Sequence, residues 1–188
     1  MGVPEFPVLV ESHFNWLRGC GLLPTIKEET RVVYSNESVS LTVYHGRSSW
    51  EVGIEIGFGS FEDEVFSMSE LLRLGRGSGA DSYRNPIAVD AFELEKALKM
   101  QSERLKESGE TALTGEQTVI AQLKNNRDSW SKKYELETRL EQARPLADAA
   151  FRDGDYNRVC ELLAPLESAL SPAESKKLKF ALRKNTGA

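Results

Sequence analysis

The chain has little of what catalytic and metal centres are usually built from. Its 188 residues include only two histidines and two cysteines. His13 and His45 lie far apart, and no His-Glu-x-x-His or Cys-x-x-Cys spacing occurs, so the sequence predicts no metal site. Cys20 and Cys160 do not suggest a disulfide framework, which favours two reduced, mostly buried thiols. We therefore expect no cofactor and assign no catalytic residue.

Long apolar runs and a leader pattern are also missing. The longest apolar stretches contain only a few residues, whereas a helix needs roughly 20 to cross a bilayer, so we expect no membrane association. The first seven residues, Met-Gly-Val-Pro-Glu-Phe-Pro, contain no basic segment followed by an apolar one. A secretory signal has that order, so the sequence predicts a cytoplasmic protein.

Basic charge is scarce in the first half of the chain. Residues 1–86 hold seven Lys and Arg against twelve Asp and Glu, a net charge of −5, whereas residues 87–188 hold seventeen of each. An acidic surface attracts basic proteins and repels nucleic acid. The basic stretch from Lys176 to Lys184 is explained by the dipole at a helix C-terminus. We expect a basic protein as the partner and no nucleic acid, and the sequence leaves the oligomeric state open.

The clearest structural pattern is a β-hairpin over residues 38–58. Apolar and polar residues alternate on both sides of a His-Gly-Arg-Ser-Ser turn, which is typical of strands with one buried face. The polar face carries four side chains and two glycines: Thr42, Tyr44, Glu51, Glu55, Gly53 and Gly57. Glycine weakens a strand, so its presence here indicates that something approaches the backbone closely.

The remaining signals predict an α+β fold, with an N-terminal antiparallel β-meander and helices followed by an all-helical C-terminal half. Arg31 to Ser35 predicts a further strand, and the Ser-Met-Ser-Glu box from Ser67 predicts a helix start. We expect a small acidic α+β domain over residues 1–86 and a helical region over residues 87–188 that packs on it.

The helical half is expected to contain a long helix as far as Arg144, where Pro145 ends or kinks it. Trp130 and Tyr134 are expected to pack inward. The residues that follow Pro145 resemble one tetratricopeptide helix pair. A single pair cannot form a solenoid with a peptide groove, so we expect a helical hairpin that caps the core.

One long glycine-rich segment, Gly75 to Asn85, separates the two halves. A phosphate-binding loop would need a strand before it and a Lys-Ser or Lys-Thr pair after it, and neither is present. The segment carries Arg76, Asp81, Tyr83 and Arg84, which are residue types that contact ligands. A flexible linker and a loop ordered by a partner both fit this composition.

The stretch Tyr-His-Gly-Arg-x-x-Trp-Glu-x-Gly-x-Glu-Ile, from Tyr44 to Ile56, resembles a hairpin of small uncharacterised bacterial proteins that have a helical tail. The run from Tyr83 to Pro86 extends the resemblance. Some proteins of this size and composition are immunity partners of toxins. The resemblance implies a scaffold with an electrostatically biased face and a few aromatic or charged anchors.

The sequence therefore predicts a non-enzymatic protein-binding module that neutralises or regulates a basic partner, such as a bacterial toxin. The candidate contact residues are Tyr44, His45, Arg47, Glu51, Glu55, Arg76, Asp81, Tyr83 and Arg84. The alternative is a small hydrolase or transferase with a site between the sheet and the glycine-rich loop. A pocket that gathers His45, Glu55 and Arg84 would favour the enzyme, and a flat acidic patch with exposed aromatic rings would favour the binding module.

Overall fold

The computed structural model describes residues 5–59, 61–74, 80 and 82–185. The chain divides into two compact units, Met1–Arg127 and Asp128–Ala188. The first contains a five-stranded sheet with helices, and the second is helical. The predicted α+β class with a helical C-terminal half is confirmed.

The first unit is built from an antiparallel meander and the helices that precede and follow it. It begins with α1 (Phe6–Phe14) and a 3-10 helix (Asn15–Cys20), followed by β1 (Leu23–Glu28), β2 (Arg31–Ser35), β3 (Val39–His45), β4 (Val52–Phe58) and β5 (Phe61–Ser67). It continues with α2 (Met68–Leu74), α3 (Ala91–Ser108), a second 3-10 helix (Glu110–Thr114) and the start of α4 (Gln117–Arg152). The strands lie in the order β1-β2-β3-β4-β5, and every neighbouring pair is antiparallel.

The predicted hairpin is confirmed as β3 and β4. Val43 lies opposite Ile54 on the buried face, and Thr42 lies opposite Glu55 on the other face. The predicted strand over Arg31–Ser35 is confirmed as β2. Period-two alternation was sufficient for these strands because it is set by the pleat itself.

The sequence does not predict strand β1. Its residues are almost all exposed, and Pro24, Lys27 and Glu28 replace the expected apolar alternation. The strand pairs only with β2, and its register shifts between Pro24 and Ile26. An edge strand tolerates proline and charge because one row of its backbone groups is unpaired, which explains the missing signal.

The core of the first unit lies on one side of the sheet. Fully buried residues from the helices, such as Val10, Leu71 and Leu98, form one cluster with buried strand residues such as Leu41 and Ile56. Burying each such side chain stabilises the fold by about 1.5–3 kcal/mol. The sheet therefore has one face in the core and one face that the helices of this unit do not pack against.

The first compact unit extends beyond the division near Pro86 that the sequence suggests. Leu98 on α3 and Leu123 on α4 belong to the same core as the strands. At the end of this unit the Arg127 guanidinium lies 4.1 Å from the centroid of the Phe66 ring. Helix α3 and the start of α4 therefore belong with the sheet, and the unit ends at Arg127.

In the second unit, α4 continues through Pro145 to Arg152, so Pro145 does not end the helix, which was one of the two expected outcomes. A 3-10 helix (Ala164–Ala169) separates α5 (Tyr156–Leu163) from α6 (Pro172–Asn185). The second unit has its own small core, which contains Ala147, Val159, Leu163, Leu178 and Ala181. The end of α4, α5 and α6 thus form a helical group with internal packing of its own.

Every residue from Asp128 to Glu135 on α4 is exposed. Trp130 is 44% exposed and Tyr134 is 59% exposed, so the expectation that they pack inward is wrong. Their rings stack on each other, with centroids 5.4 Å apart. The spacing of four residues places both rings on one helix face, but it does not determine whether another element covers that face.

Candidate protein-binding site

The side of the sheet away from the helices is a surface of mixed apolar and polar side chains. We call it the open face, and its main residues are Ile26, Arg31, Val33, Thr42, Tyr44, Glu51 and Glu55. Pairing in register places Ile26, Val33, Thr42 and Glu55 in one row across four strands. Ile26 is 40% exposed, and the other three are partly exposed. The row lies on the side of the sheet away from the core that the helices of the first unit help to form.

Tyr44 lies directly opposite Gly53 on the open face. A Cβ atom on Gly53 would stand only 2.2 Å from Cζ of Tyr44, so the phenol ring fills the space that a side chain at position 53 would need. At the second glycine, a Cβ on Gly57 would stand 2.8 Å from the Ser40 hydroxyl. Side chains of β3 therefore make the close approach that the two glycines indicate.

Two carboxylates flank the Tyr44 ring. Burial raises the pKa of the Tyr44 hydroxyl, and the negative charges of Glu55 and then Glu51 raise it further. Neither carboxylate forms an ion pair within the described part of the chain. The centre of the open face is thus an aromatic ring between two carboxylates that form no ion pair among the described residues, while Arg31, opposite the ring on β2, pairs with Glu28.

A chain of hydrogen bonds connects Tyr44 to helix α3. The Asn85 Nδ2 group donates to the Tyr44 hydroxyl at 3.3 Å. The Tyr83 hydroxyl donates to Gln101 Oε1 at 2.7 Å and shares its proton with Asn85 Oδ1 at 3.2 Å. Gln101 Nε2 donates to the Val52 carbonyl at 2.7 Å. This chain satisfies the Val52 carbonyl at the edge of β4, a position that lies outside the described pairing of β4 with β5.

Tyr83 is a second predicted residue that reaches this region. Burial is the main cause that raises the pKa of the Tyr83 hydroxyl. The Arg104 guanidinium lies 5.1 Å from the centroid of the Tyr83 ring. The Tyr83 hydroxyl is therefore bonded within the protein, to Gln101 and Asn85, and Tyr83 acts on the open face only through the Asn85 side chain that bonds to Tyr44.

His45 faces the core side of the hairpin, because it lies opposite the buried Val52. Its ring stacks on Phe6, with centroids 6.1 Å apart, and lies 5.8 Å from the Trp50 ring. Nε2 donates to the Ala88 carbonyl at 2.9 Å, since a carbonyl oxygen can only accept. His45 thus fixes the end of the hairpin against the segment after Pro86.

The other predicted residues lie around the open face or outside the described residues. Arg47, in the hairpin turn, forms an ion pair of 3.8 Å with Glu29. Arg84 is exposed, and its Nη1 group donates to the Tyr83 carbonyl at 2.7 Å. Arg76 and Asp81 lie outside the described residues. The structure therefore brings together Tyr44, Glu51, Glu55 and, through Asn85, Tyr83.

No family model, no curated protein and no solved structure matches this chain. The function is therefore inferred from the geometry of the open face alone. Within the described ranges, no helix has the length and apolar character needed to span a membrane. The same described residues contain no group of three or more His, Cys, Asp or Glu side chains that could hold a metal ion.

The described residues do not bring His45 and Glu55 of the enzymatic alternative together, and much of its glycine-rich loop, 75–79 and 81, lies outside them. His45 and Glu55 project from opposite faces of the hairpin, so they cannot act on one substrate. A pocket of about 200 Å³ opens elsewhere in the first unit, where Lys124 and Glu64 form an ion pair of 2.6 Å. None of the candidate residues lines it. Burial also raises the pKa of the Cys20 thiol, which disfavours the reactive thiolate.

Two residues of the site have no clear signal in the sequence. Asn85 stands before Pro86 and suggests a helix cap, whereas α3 begins later and is capped by Asp90, which accepts from the Glu93 N–H at 2.8 Å. Gln101 is a fully buried polar residue inside a helix. A glutamine among apolar helix positions can indicate a buried hydrogen bond, but its partner is 49 positions away in the sequence.

Proposed function

We propose that this protein binds a basic protein partner through the open face and thereby neutralises or regulates it, as an immunity protein does with a bacterial toxin. One observation carries the proposal. Glu51 and Glu55 flank the Tyr44 ring on a partly exposed sheet face, and neither is held in an ion pair among the described residues. A Lys or Arg side chain of a partner would supply the missing charge and could lie against the ring.

Apolar side chains next to the carboxylates support a protein as the partner. Ile87 is 63% exposed and lies opposite Glu51 in an antiparallel bridge, so the two are neighbours. Ile26 and Val33 continue the apolar character across the other strands. Interfaces bury aromatic and aliphatic anchors inside a polar rim, and this surface offers both.

The net negative charge of the whole first unit supports a positively charged partner. Residues 1–127 contain nineteen Asp and Glu against thirteen Lys and Arg, a net charge of −6. A field of one sign steers an oppositely charged protein toward the surface and raises its association rate. Binding should therefore weaken as the salt concentration rises. We also propose a cytoplasmic location, which two free cysteines support.

The test compares two charge-reversed proteins with equal net charge. Glu51→Lys with Glu55→Lys changes the open face, whereas Glu141→Lys with Glu167→Lys changes two exposed positions of the second unit. Each tagged protein is used to capture partners from its own host at low and moderate salt. We expect one stoichiometric basic protein with the wild type and the control, and its loss with the open-face variant. Equal capture by both variants would exclude the open face as the binding surface.

A further inference from the structure

The segment after the glycine-rich region is attached to β4 at two points. The Val52 N–H donates to the Pro86 carbonyl at 2.8 Å, and the Ala88 N–H donates to the Trp50 carbonyl at 2.8 Å. The position of Asn85, directly before Pro86, is therefore set by backbone hydrogen bonds. Its side chain reaches the open face from a fixed backbone.

Asn85 joins this fixed segment to Tyr44. Its carboxamide lies between two phenols, with Nδ2 at 3.3 Å from the Tyr44 hydroxyl and Oδ1 at 3.2 Å from the Tyr83 hydroxyl. Tyr83 is held in turn by Gln101, which is fully buried and also bonded to β4. The Tyr44 ring on the surface is thus connected, through Asn85 and Tyr83, to the buried Gln101, and these hydrogen bonds restrict its movement.

Among the described residues, the bond from Asn85 is the one hydrogen bond that reaches the Tyr44 hydroxyl. The ring lies over the Gly53 backbone, which has no side chain that could contact the ring edge. The strands around Tyr44 present Arg31, Thr42, Glu51 and Glu55. Arg31 lies opposite Tyr44 but bonds to Glu28, and none of the four bonds to the Tyr44 hydroxyl among the described residues. A phenol on such a surface would otherwise adopt several rotamers.

We infer that Asn85 is the positioning residue of the binding site: it holds Tyr44 flat on Gly53, so that one ring orientation between Glu51 and Glu55 meets the partner. The consequence for binding depends on the proposed function, whereas the effect on Tyr44 does not. A preorganised side chain avoids the loss of rotamer freedom on binding. Loss of the Asn85 contact should therefore weaken binding roughly 2- to 10-fold.

The free protein provides the direct test. The Gly53 Hα protons lie beneath the Tyr44 ring, so their NMR resonances should be shifted upfield by its ring current. Asn85→Ala should move these resonances toward their ordinary position. Asn85→Asp should preserve the shift, because its carboxylate can accept from both hydroxyls. Asn126→Ala, at an exposed position of α4, is the matched control and should change nothing.

An unchanged Gly53 shift in Asn85→Ala would overturn the inference, and so would a loss of the shift in both Asn85 variants. The binding consequence is measured with an eight-residue peptide of alternating arginine and leucine. We expect weaker binding by Asn85→Ala than by the wild type or by Asn126→Ala. If the Gly53 shift behaves as expected but no protein binds the peptide or any basic partner, the proposed function fails while the positioning role of Asn85 stands.

Discussion

The ring of Tyr44 occupies the space in which a side chain on Gly53 would stand. The two residues face each other across β3 and β4, and a Cβ on Gly53 would come within 2.2 Å of the Tyr44 ring. A glycine in the middle of a strand normally weakens it. Here an aromatic side chain on the neighbouring strand covers the glycine and compensates for the missing contact area.

We expect Gly53→Ala to displace the Tyr44 ring and break its hydrogen bond to Asn85. Partner binding should weaken, while the free energy of unfolding should fall by no more than about 1.5 kcal/mol, the contribution of one hydrogen bond. Binding titration and denaturant unfolding measure the two effects. Gly19→Ala is the control, since a Cβ there meets nothing within 4 Å. Wild-type binding by Gly53→Ala would contradict the role of the ring.

Arg127 and Glu70 provide a second test, in the packing of α4 against the sheet. Burial alone would raise the pKa of Glu70, but hydrogen bonds from Arg127 and Ser67 lower it. We expect Arg127→Met to raise the pKa of Glu70 and to reduce the free energy of unfolding by about 1–3 kcal/mol, because a partly buried carboxylate loses its charged donor. NMR titration and denaturant unfolding would measure both changes.

The control for that variant is Lys124→Met. Lys124 pairs with Glu64 at 2.6 Å, but both side chains are about a third exposed or more. Exposed pairs contribute about 0–1 kcal/mol, so this loss should be smaller. Equal losses of unfolding free energy in the two variants would show that the Arg127 contacts stabilise the fold no more than an exposed ion pair does.

Tyr34 is fully buried, and its hydroxyl has no hydrogen-bond partner among the described residues. We expect Tyr34→Phe to keep or increase the free energy of unfolding at pH 7, because the removed hydroxyl gains nothing in the fold. Tyr83→Phe, which loses the 2.7 Å bond to Gln101, should cost about 0.5–1.5 kcal/mol. Denaturant unfolding compares the two, and a larger loss for Tyr34→Phe would contradict this account.

Stability at alkaline pH provides a further comparison of Tyr34→Phe with the wild type. Burial, followed by the negative charge of Glu11, raises the pKa of Tyr34 from 10.0 to about 12. The unfolded chain therefore releases this proton first, and stability falls as the pH rises from 10 through 12. Tyr34→Phe should lose less stability than the wild type in that window. Identical pH profiles would show that Tyr34 ionises normally in the folded protein.

Glu174 should give the second unit an acid-sensitive contribution. Hydrogen bonds with Ser171 and Arg144 lower the pKa of Glu174 from 4.5 to about 2, although burial alone would raise it. This contribution is present above pH 4.5 and is lost as the pH falls through about 2. Glu174→Gln should flatten the decline in stability across that window, measured by unfolding at several pH values. A decline as steep as that of the wild type would contradict the assignment.

The sequence was most informative where structure depends on near neighbours. The strand alternation around Val43 and Ile54, and the capping box at Ser67, are patterns of two to four residues. Strand β1 escaped prediction because its pairing with β2, not its own composition, makes it a strand. Helical spacing placed Trp130 and Tyr134 on one face but did not reveal that the face is exposed.

The candidate site was partly predictable for the same reason. Tyr44, Glu51 and Glu55 share a face because strand residues alternate, and Gly53 indicates a close contact. The identity of that contact depends on Tyr44, nine positions from Gly53 on the neighbouring strand, and the support from Asn85 depends on side chains 41 positions apart in the sequence. No pattern in a single sequence specifies such pairs.

The most direct test of the central claim is the affinity of the captured basic partner for a triple variant, Tyr44→Ala with Glu51→Ala and Glu55→Ala. Titration calorimetry at one fixed salt concentration gives the two dissociation constants, and circular dichroism confirms that the variant is folded. We expect binding at least about 30-fold weaker than that of the wild type, because an interface anchor contributes about 2 kcal/mol or more. A folded triple variant that binds the partner as tightly as the wild type would contradict the account.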